Sequence, residues 1–263
     1  MRPLFLAALI VLSPSPSFSI INGLPANVED FRSFVSIRTT SPFPRHEGRE
    51  INGCGGTLIA PEWVLTALHC KSLFENADHA TEPVFVGINI QPDGSVGTRL
   101  RITEVRMAPV LLGMARLDAA LLRLEADATT HGAEVATIVA GAPVVGLPTT
   151  TIGIAMGFEG AVLEYYNSEV AEAGLCATGG ADFDPAHDFC VGLTGSTQRT
   201  GYGDSGGPLY VADPENPGAY QLAGIVKGGV KATPSGPEET EFIRYADVTQ
   251  LRDWIRAIVD AAE

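Results

Sequence analysis

The apolar positions along the chain recur mostly at every second residue or in short unbroken runs. "FRSFVSIRT", residues 31–39, alternates apolar and polar side chains, which suits a half-buried strand. "GGTLIAPEWVLTALHC", residues 55–70, reads as a strand, a turn at Pro61 and a second strand. "LRITEVRMAPV" and "DAALLRLE" are further strand candidates, and "TTIGIAMGF", "PLYVA" and "YQLAGIVKGG" supply strands later on. Between these groups "APVVGLP", Ala142 to Pro148, interrupts the pattern and predicts a crossing between two halves near residues 140–148. At the end the period changes. Leu251, Trp254, Ile255, Ile258 and Val259 fall at i, i+3, i+4, i+7 and i+8, one face of a helix, with Thr249 as the expected N-cap. The expectation is an all-β chain closed by one C-terminal α-helix.

Composition agrees. The 263 residues suffice for a single all-β unit of two packed barrels, and 29 Gly with 18 Pro favour many turns over long helices. At 45% hydrophobic residues the chain can build a core. The net charge of −14 excludes a basic footprint for nucleic acid or anionic lipid.

The first residues predict export. Met1 and Arg2 make a short positive start, Leu4 to Leu12 is apolar, and "SPSPSFS" offers small residues at Ser17 and Ser19 for a signal peptidase. The apolar run is too short for a membrane anchor. Removing residues 1–19 takes away Arg2 and no acid, leaving 16 basic residues against 31 acidic and a charge of −15. The expectation is a signal peptide over 1–19, a single domain over 20–263, and a secreted or periplasmic monomer. Four cysteines in an exported chain should pair, and three pairings exist. The local bridges Cys54–Cys70 and Cys176–Cys190 are expected.

"GYGDSGGPLY" is the strongest chemical signal. Ser205 sits among Gly203, Gly206 and Gly207, and such glycines permit an exposed turn whose N–H groups face a developing oxyanion. A serine hydroxyl is a weak nucleophile without a base. "LTALHC" supplies His69 beside a cysteine, whereas His46, His79, His131 and His187 stand in polar or turn-like surroundings and read as structural or solvated. The base needs an orienting carboxylate, and "RLDAALLRL" places Asp118 at the head of an apolar run. Singly each is ordinary: a Gly-rich hairpin, a core histidine, a turn acid. Together they make a nucleophile, a base and its orienter.

The pieces "IING", "CGGTLIAPEWVLTALHC", "DAALLRL", "CVG", "GDSGGPL", "GIV" and the helix "YADVTQLRDWI" cover nearly all of residues 20–263. In them the chain resembles the chymotrypsin-like (trypsin-fold) serine protease family. The resemblance implies two packed six-stranded antiparallel β-barrels with a C-terminal α-helix and an active site between them. It implies His69 as general base, Asp118 as orienting acid, Ser205 as nucleophile, and the N–H groups of Gly203 and Ser205 as oxyanion hole. It implies a protein or peptide substrate and neither cofactor nor metal. The acidic stretch Glu75 to Glu82 reads as a solvated loop rather than a calcium site.

The chain also departs from that family. Arg199 stands six residues before Ser205, where a trypsin-like pocket has an acid, so specificity for Lys or Arg is not expected. Arg199 either attracts an acidic side chain or, the preferred reading, points away into solvent. Gly201 stands where the family often has a cysteine, and no partner cysteine lies near Gly229. Ile243 falls near the pocket wall, which favours a small side chain before the cleaved bond. Lys227 replaces a serine that ordinarily contacts the triad acid, and either pairs with Asp118, weakening its hold on His69, or swings to solvent. The family further implies a buried pair between Asp204 and the freed amine of Ile20, so signal removal after Ser19 would itself assemble the site. Two other classes stay open: a protease-like scaffold with little turnover, and an esterase using the same residues.

Overall fold

In a computed structural model the described residues are 20–40, 48–74, 84–109, 117–154, 161–177, 183–231 and 241–261. The expected signal peptide, His46, His79 and the stretch Glu75 to Glu82 lie outside them. The chain opens with a two-residue strand, β1 (Leu24–Pro25). Then follow β2 (Phe34–Thr40), β3 (Glu50–Ala60), β4 (Trp63–Thr66), β5 (Phe85–Ile90), β6 (Val96–Met107) and β7 (Ala120–Leu124). These six close into an antiparallel barrel in the order β2-β3-β4-β7-β6-β5. After them come β8 (Thr137–Ile138), β9 (Pro148–Gly153), β10 (Glu164–Ala171), helix α1 (Ala173–Ala177), β11 (Asp188–Val191), β12 (Pro208–Ala212), β13 (Tyr220–Lys231) and β14 (Glu241–Asp247). The second barrel is the ring β9-β10-β11-β14-β13-β12, closed where β12 returns to β9; β1 adds to β10 and β8 pairs parallel with β13. Two six-stranded barrels and a short C-terminal helix are thus the architecture.

Burial explains the strands. "FRSFVSIRT" is buried on both faces rather than one: Phe34, Val35, Ser36 and Ile37 are all inaccessible. One face fills its own barrel and the other turns toward the second barrel, where Ser36 is satisfied by donating to Asn52 Oδ1 at 2.6 Å. In β7, consecutive Leu121 and Leu122 are likewise buried. Truncating such a leucine to Ala costs about 2–5 kcal/mol.

The end of the chain differs from its periodicity. Tyr245–Asp247 finish β14, Val248–Leu251 form a 3₁₀ turn, and the helix α2 starts only at Arg252, running to Val259. The cap is Asp247, not Thr249: Asp247 Oδ1 accepts from the Thr249 N–H at 2.8 Å and hydroxyl at 2.7 Å. Asp247 thus caps the 3₁₀ turn, while α2 itself begins after Leu251 with no side-chain cap. Leu251 and Ile255 are nevertheless buried, with Trp254, Ile258 and Val259 packed against the core. The cysteines pair as Cys54–Cys70 and Cys176–Cys190.

Candidate active site

After β4 the chain enters a 3₁₀ turn, Leu68–Leu73. Leu68 and Cys70 are buried, and Cys70 is bonded to Cys54 of β3, so the turn is held from both sides of His69. The His69 side chain is left 41% exposed. Asp118 lies just ahead of β7, fixed by buried Ala119 and Ala120. Its Oδ2 lies 2.8 Å from His69 Nδ1 and its Oδ1 accepts the His69 backbone N–H at 2.9 Å. One carboxylate therefore holds both the ring and the backbone of one histidine, which leaves Nε2 for chemistry. Burial raises the Asp118 pKa, but the hydrogen bonds and charge of His69, with the charge of Lys227, outweigh it and hold the carboxyl below its ordinary range.

The Ser205 loop comes from the second barrel and docks on the first. Ser205 O accepts from Gly55 N at 2.8 Å and lies 3.7 Å from Cys70 Sγ, on the turn that carries His69. Gly206 N donates to Val226 O and Val226 N to Gly207 O, tying the loop to β13. Gly206 has φ +78°, and a Cβ there would stand 2.2 Å from Thr66 Oγ1, so only glycine lets the loop approach. Among the described residues the N–H groups of Gly203 and Ser205 donate to nothing, as a pair of oxyanion donors requires.

One buried residue here has no counterpart in the sequence reading. Asn52 of β3 donates to Gly203 O at 2.9 Å and to Ile154 O at 2.5 Å, and accepts from Ser36. It turns the carbonyl of Gly203 toward itself and thereby orients the Gly203–Asp204 peptide. The only local signal is an asparagine in an otherwise apolar strand, "INGCGG".

Asp204 is wholly buried. Its Oδ2 accepts from Gly201 N at 2.7 Å, while its Oδ1 has no hydrogen-bond partner among the described residues. Burial pushes its pKa up to about 7, with the charge of Glu164 adding to the rise against the Gly201 bond. Ile20 is also fully buried, and Gly153 separates the two: a Cβ there would lie 1.9 Å from Asp204 Oδ1 and 3.2 Å from Ile20 Cδ1. The segment is latched by reciprocal backbone bonds between Ile21 and Arg199, by Asn22 Nδ2 to Thr197 O, and by Gln198 Nε2 to Asn22 O.

The expected pocket residues meet, with a correction. Gly229 and Ile243 face each other in the β13–β14 register, and Ile243 is buried. Arg199 does not point into solvent. Its Nε lies 2.9 Å from Glu241 Oε2, and a Cβ at Gly229 would stand 1.7 Å from Glu241 Oε1. The Glu241 carboxylate thus occupies the space beside Gly229 and neutralises Arg199. Lys227 is corrected likewise: its Nζ bonds Asp188 Oδ2 at 2.6 Å, with the two side chains 12% and 3% exposed, instead of swinging to solvent. Outside this site, His187 Nδ1 lies 2.8 Å from Asp184 Oδ2, a structural contact. Among the described residues no group of three or more His, Cys, Asp or Glu is placed to hold a metal ion, and no helix is long and apolar enough to cross a membrane.

The chain is similar to transmembrane protease serine 9 of Rattus norvegicus, 26% identical over 255 residues. The match covers 93% of this chain and 22% of that relative's length. A family model described as trypsin matches residues 20–255, and the chain belongs to the trypsin family.

Proposed function

We propose that the chain is an exported serine endopeptidase in which His69, Asp118 and Ser205 act as the catalytic triad. The observation that carries this is the Asp118 carboxylate binding both His69 Nδ1 and His69 N, next to a glycine loop whose Gly203 and Ser205 N–H groups meet no acceptor among the described residues. Ser205 Oγ attacks the scissile carbonyl while His69 Nε2 takes its proton. The oxyanion is received by the two N–H groups. His69 then gives the proton to the leaving amine, and water repeats the sequence on the acyl-enzyme. Asp118 stays ionised, which keeps the imidazole in the tautomer that offers Nε2 as base. A fluorophosphonate probe is expected to label Ser205 in the wild-type chain and to fail with His69→Ala. Equal labelling of both would mean that no base activates the serine and would favour a scaffold.

The pocket supports a specificity unlike trypsin's. Arg199 stands where a trypsin-like pocket has its acid, the Glu241 carboxylate beside it is already taken up by Arg199 and so is not left to bind a cationic side chain, and the branched Ile243 beside Gly229 is buried. Peptides with Ala, Ser or Val before the cleaved bond are expected to be cut at least about ten-fold faster, as kcat/KM, than peptides with Lys or Arg there. That corresponds to about 1.4 kcal/mol of discrimination, modest for a misplaced charge. A peptide library read by mass spectrometry measures it, and a preference for Lys or Arg would refute it; hydrolysis of esters but no peptides would make the chain an esterase. Export follows from the signal reading of residues 1–19, with Ile20 as the mature N-terminus.

A further inference from the structure

We propose that Asn52 is a positioning residue for the oxyanion site: its buried amide reaches from the first barrel to the nucleophile loop and fixes the peptide behind the Gly203 N–H, while Ser36 and Arg38 fix the amide. The inference rests on the triad and oxyanion reading above. The register of β3 explains how the amide gets there. Gly55 stands opposite Ser36 and Asn52 opposite Arg38, although Asn52 and Gly55 are an odd number of residues apart. The slip in pairing between Ile37 and Arg38 leaves Gly53 as the extra residue of a β-bulge. Without the bulge, Asn52 and Gly55 would point to opposite faces of the sheet. With it, both face the second barrel. Gly55, lacking a side chain, lets the nucleophile loop close in there: a Cβ on it would stand 2.8 Å from Gly207 Cα.

Asn52 is 1% exposed and Ser36 is wholly buried, so each of their polar atoms needs a partner within the protein. The carbonyls of Gly203 and Ile154 can only accept, and Asn52 Nδ2 donates its two N–H groups to them, at 2.9 Å and 2.5 Å. Asn52 Oδ1 accepts from Ser36 Oγ at 2.6 Å, and Ser36 Oγ in turn accepts from Arg38 Nε at 2.9 Å. A guanidinium only donates, so the serine proton is left for Asn52. Arg38 is itself held, by Glu50 Oε1 at 2.9 Å and by Gly94 O at 2.6 Å. Two carbonyls at one end and a directed hydroxyl at the other leave the amide a single orientation. Beyond it, the Gly203–Asp204 peptide is held at both ends: Asn52 takes its oxygen, and its N–H donates to Gly201 O at 3.3 Å. Gly203 sits at φ +98°, and the side chain ahead of it, Tyr202, is exposed. The direction of the Gly203 N–H is therefore set by the peptide that Asn52 holds, since a glycine by itself would let it turn.

The test compares wild type with Asn52→Leu, which keeps the bulk and removes both donors, and with Ser36→Ala, which keeps Asn52 and removes the hydroxyl that orients it. Exhaustive fluorophosphonate labelling of Ser205 counts the competent sites, and kcat on a peptide substrate is expressed per labelled site. Asn52→Leu should lower kcat per site at least about 30-fold, towards the roughly 10²-fold of losing an oxyanion donor outright, with KM within about three-fold. Ser36→Ala should lower it at least about three-fold, the scale of one hydrogen bond lost a step away. Binding of a peptide aldehyde, whose adduct with Ser205 places an oxyanion between the two N–H groups, should weaken in step with kcat. Binding of the same peptide as its amide should not move. A merely structural role would lower the number of labelled sites and leave kcat per site unchanged. Smaller losses than these, or a loss in KM instead of kcat, overturn the proposal; should Asn52→Leu leave no site to label, the Ser36→Ala result decides alone. Failure of the wild type to take the probe would sink the triad reading and this proposal with it, whereas a labelled wild type with unaltered variants would keep the triad and remove Asn52 from its support.

Discussion

Replacing Ser205 by Ala is expected to lower kcat on a peptide substrate on the order of 10⁴-fold or more, with KM changed only a few-fold. The reason is the division of labour in the site. The N–H groups of Gly203 and Ser205 and the pocket remain, so substrate still binds and the oxyanion is still met, but no acyl-enzyme forms. Asp118→Asn should cost about 10⁴-fold although its side chain keeps nearly the same shape. An amide at that position can donate to Nδ1, which turns the imidazole into the tautomer whose Nε2 carries the proton. The loss arises because Asp118 now accepts at both oxygens, from His69 N and from the ring. The double variant Ser205→Ala with Asp118→Asn should be barely worse than either single one, because residues acting as one unit do not add. Steady-state kinetics on one peptide suffices. Single variants within ten-fold of wild type would remove these residues from the mechanism.

A form of the protein that keeps any residue ahead of Ile20 is expected to be about 10²-fold or more less active, the scale of losing one oxyanion donor. In such a form the Ile20 nitrogen is a neutral amide. Asp204 Oδ1 then has nothing to accept from, and burial pushes its carboxyl from the ordinary 3.8 up to about 7. We propose that the freed nitrogen becomes an ammonium that pairs with this fully buried acid, and that the pair orders the peptide that follows Gly203, whose Gly203 carbonyl Asn52 holds. The same argument gives a stability curve. A folded state that keeps a proton which the unfolded chain releases loses stability as pH rises from about 4 to 7. At about 1.4 kcal/mol per pKa unit the loss approaches 4 kcal/mol for the blocked form at pH 7. Thermal melts of blocked and mature forms should therefore nearly coincide near pH 4 and separate by pH 7, the mature form melting higher. Asp204→Asn should abolish the separation. Equal melting and equal activity of both forms at pH 7 would show that the Ile20 amine plays no part.

Much of this was legible in residue patterns. Alternation marked β2 and the strands around Pro61, and the 3.6-residue spacing marked α2, because both signals are local. The Gly-rich stretch around Ser205 was legible because a close turn leaves few residue types able to occupy it; Gly206 shows why, pressed against Thr66 and Gly55. Less legible were the short β5 and β11, and β10, which buries the polar Glu164 and Ser168 and so breaks the apolar pattern, while β14 was absorbed into the helix that follows it. The site shows the same division. The contact between His69 and Asp118 joins two residues that their chemistry singled out, whereas Asn52 was not singled out, since its partner Gly203 lies 151 residues away.

The sequence alone determined the residue types: two strand-rich halves, a terminal helix, and a serine, a histidine and an acid suited to acyl transfer. Tertiary structure decided what the unusual residues face. Arg199 meets Glu241 rather than solvent, Lys227 meets Asp188 across 39 residues, and one oxygen of the buried Asp204 has no partner among the described residues. Periodicity is a property of neighbours along the chain and survives in sequence. The partner of a buried charge is chosen by the desolvation that isolates it from water, and that exists only once both barrels have closed.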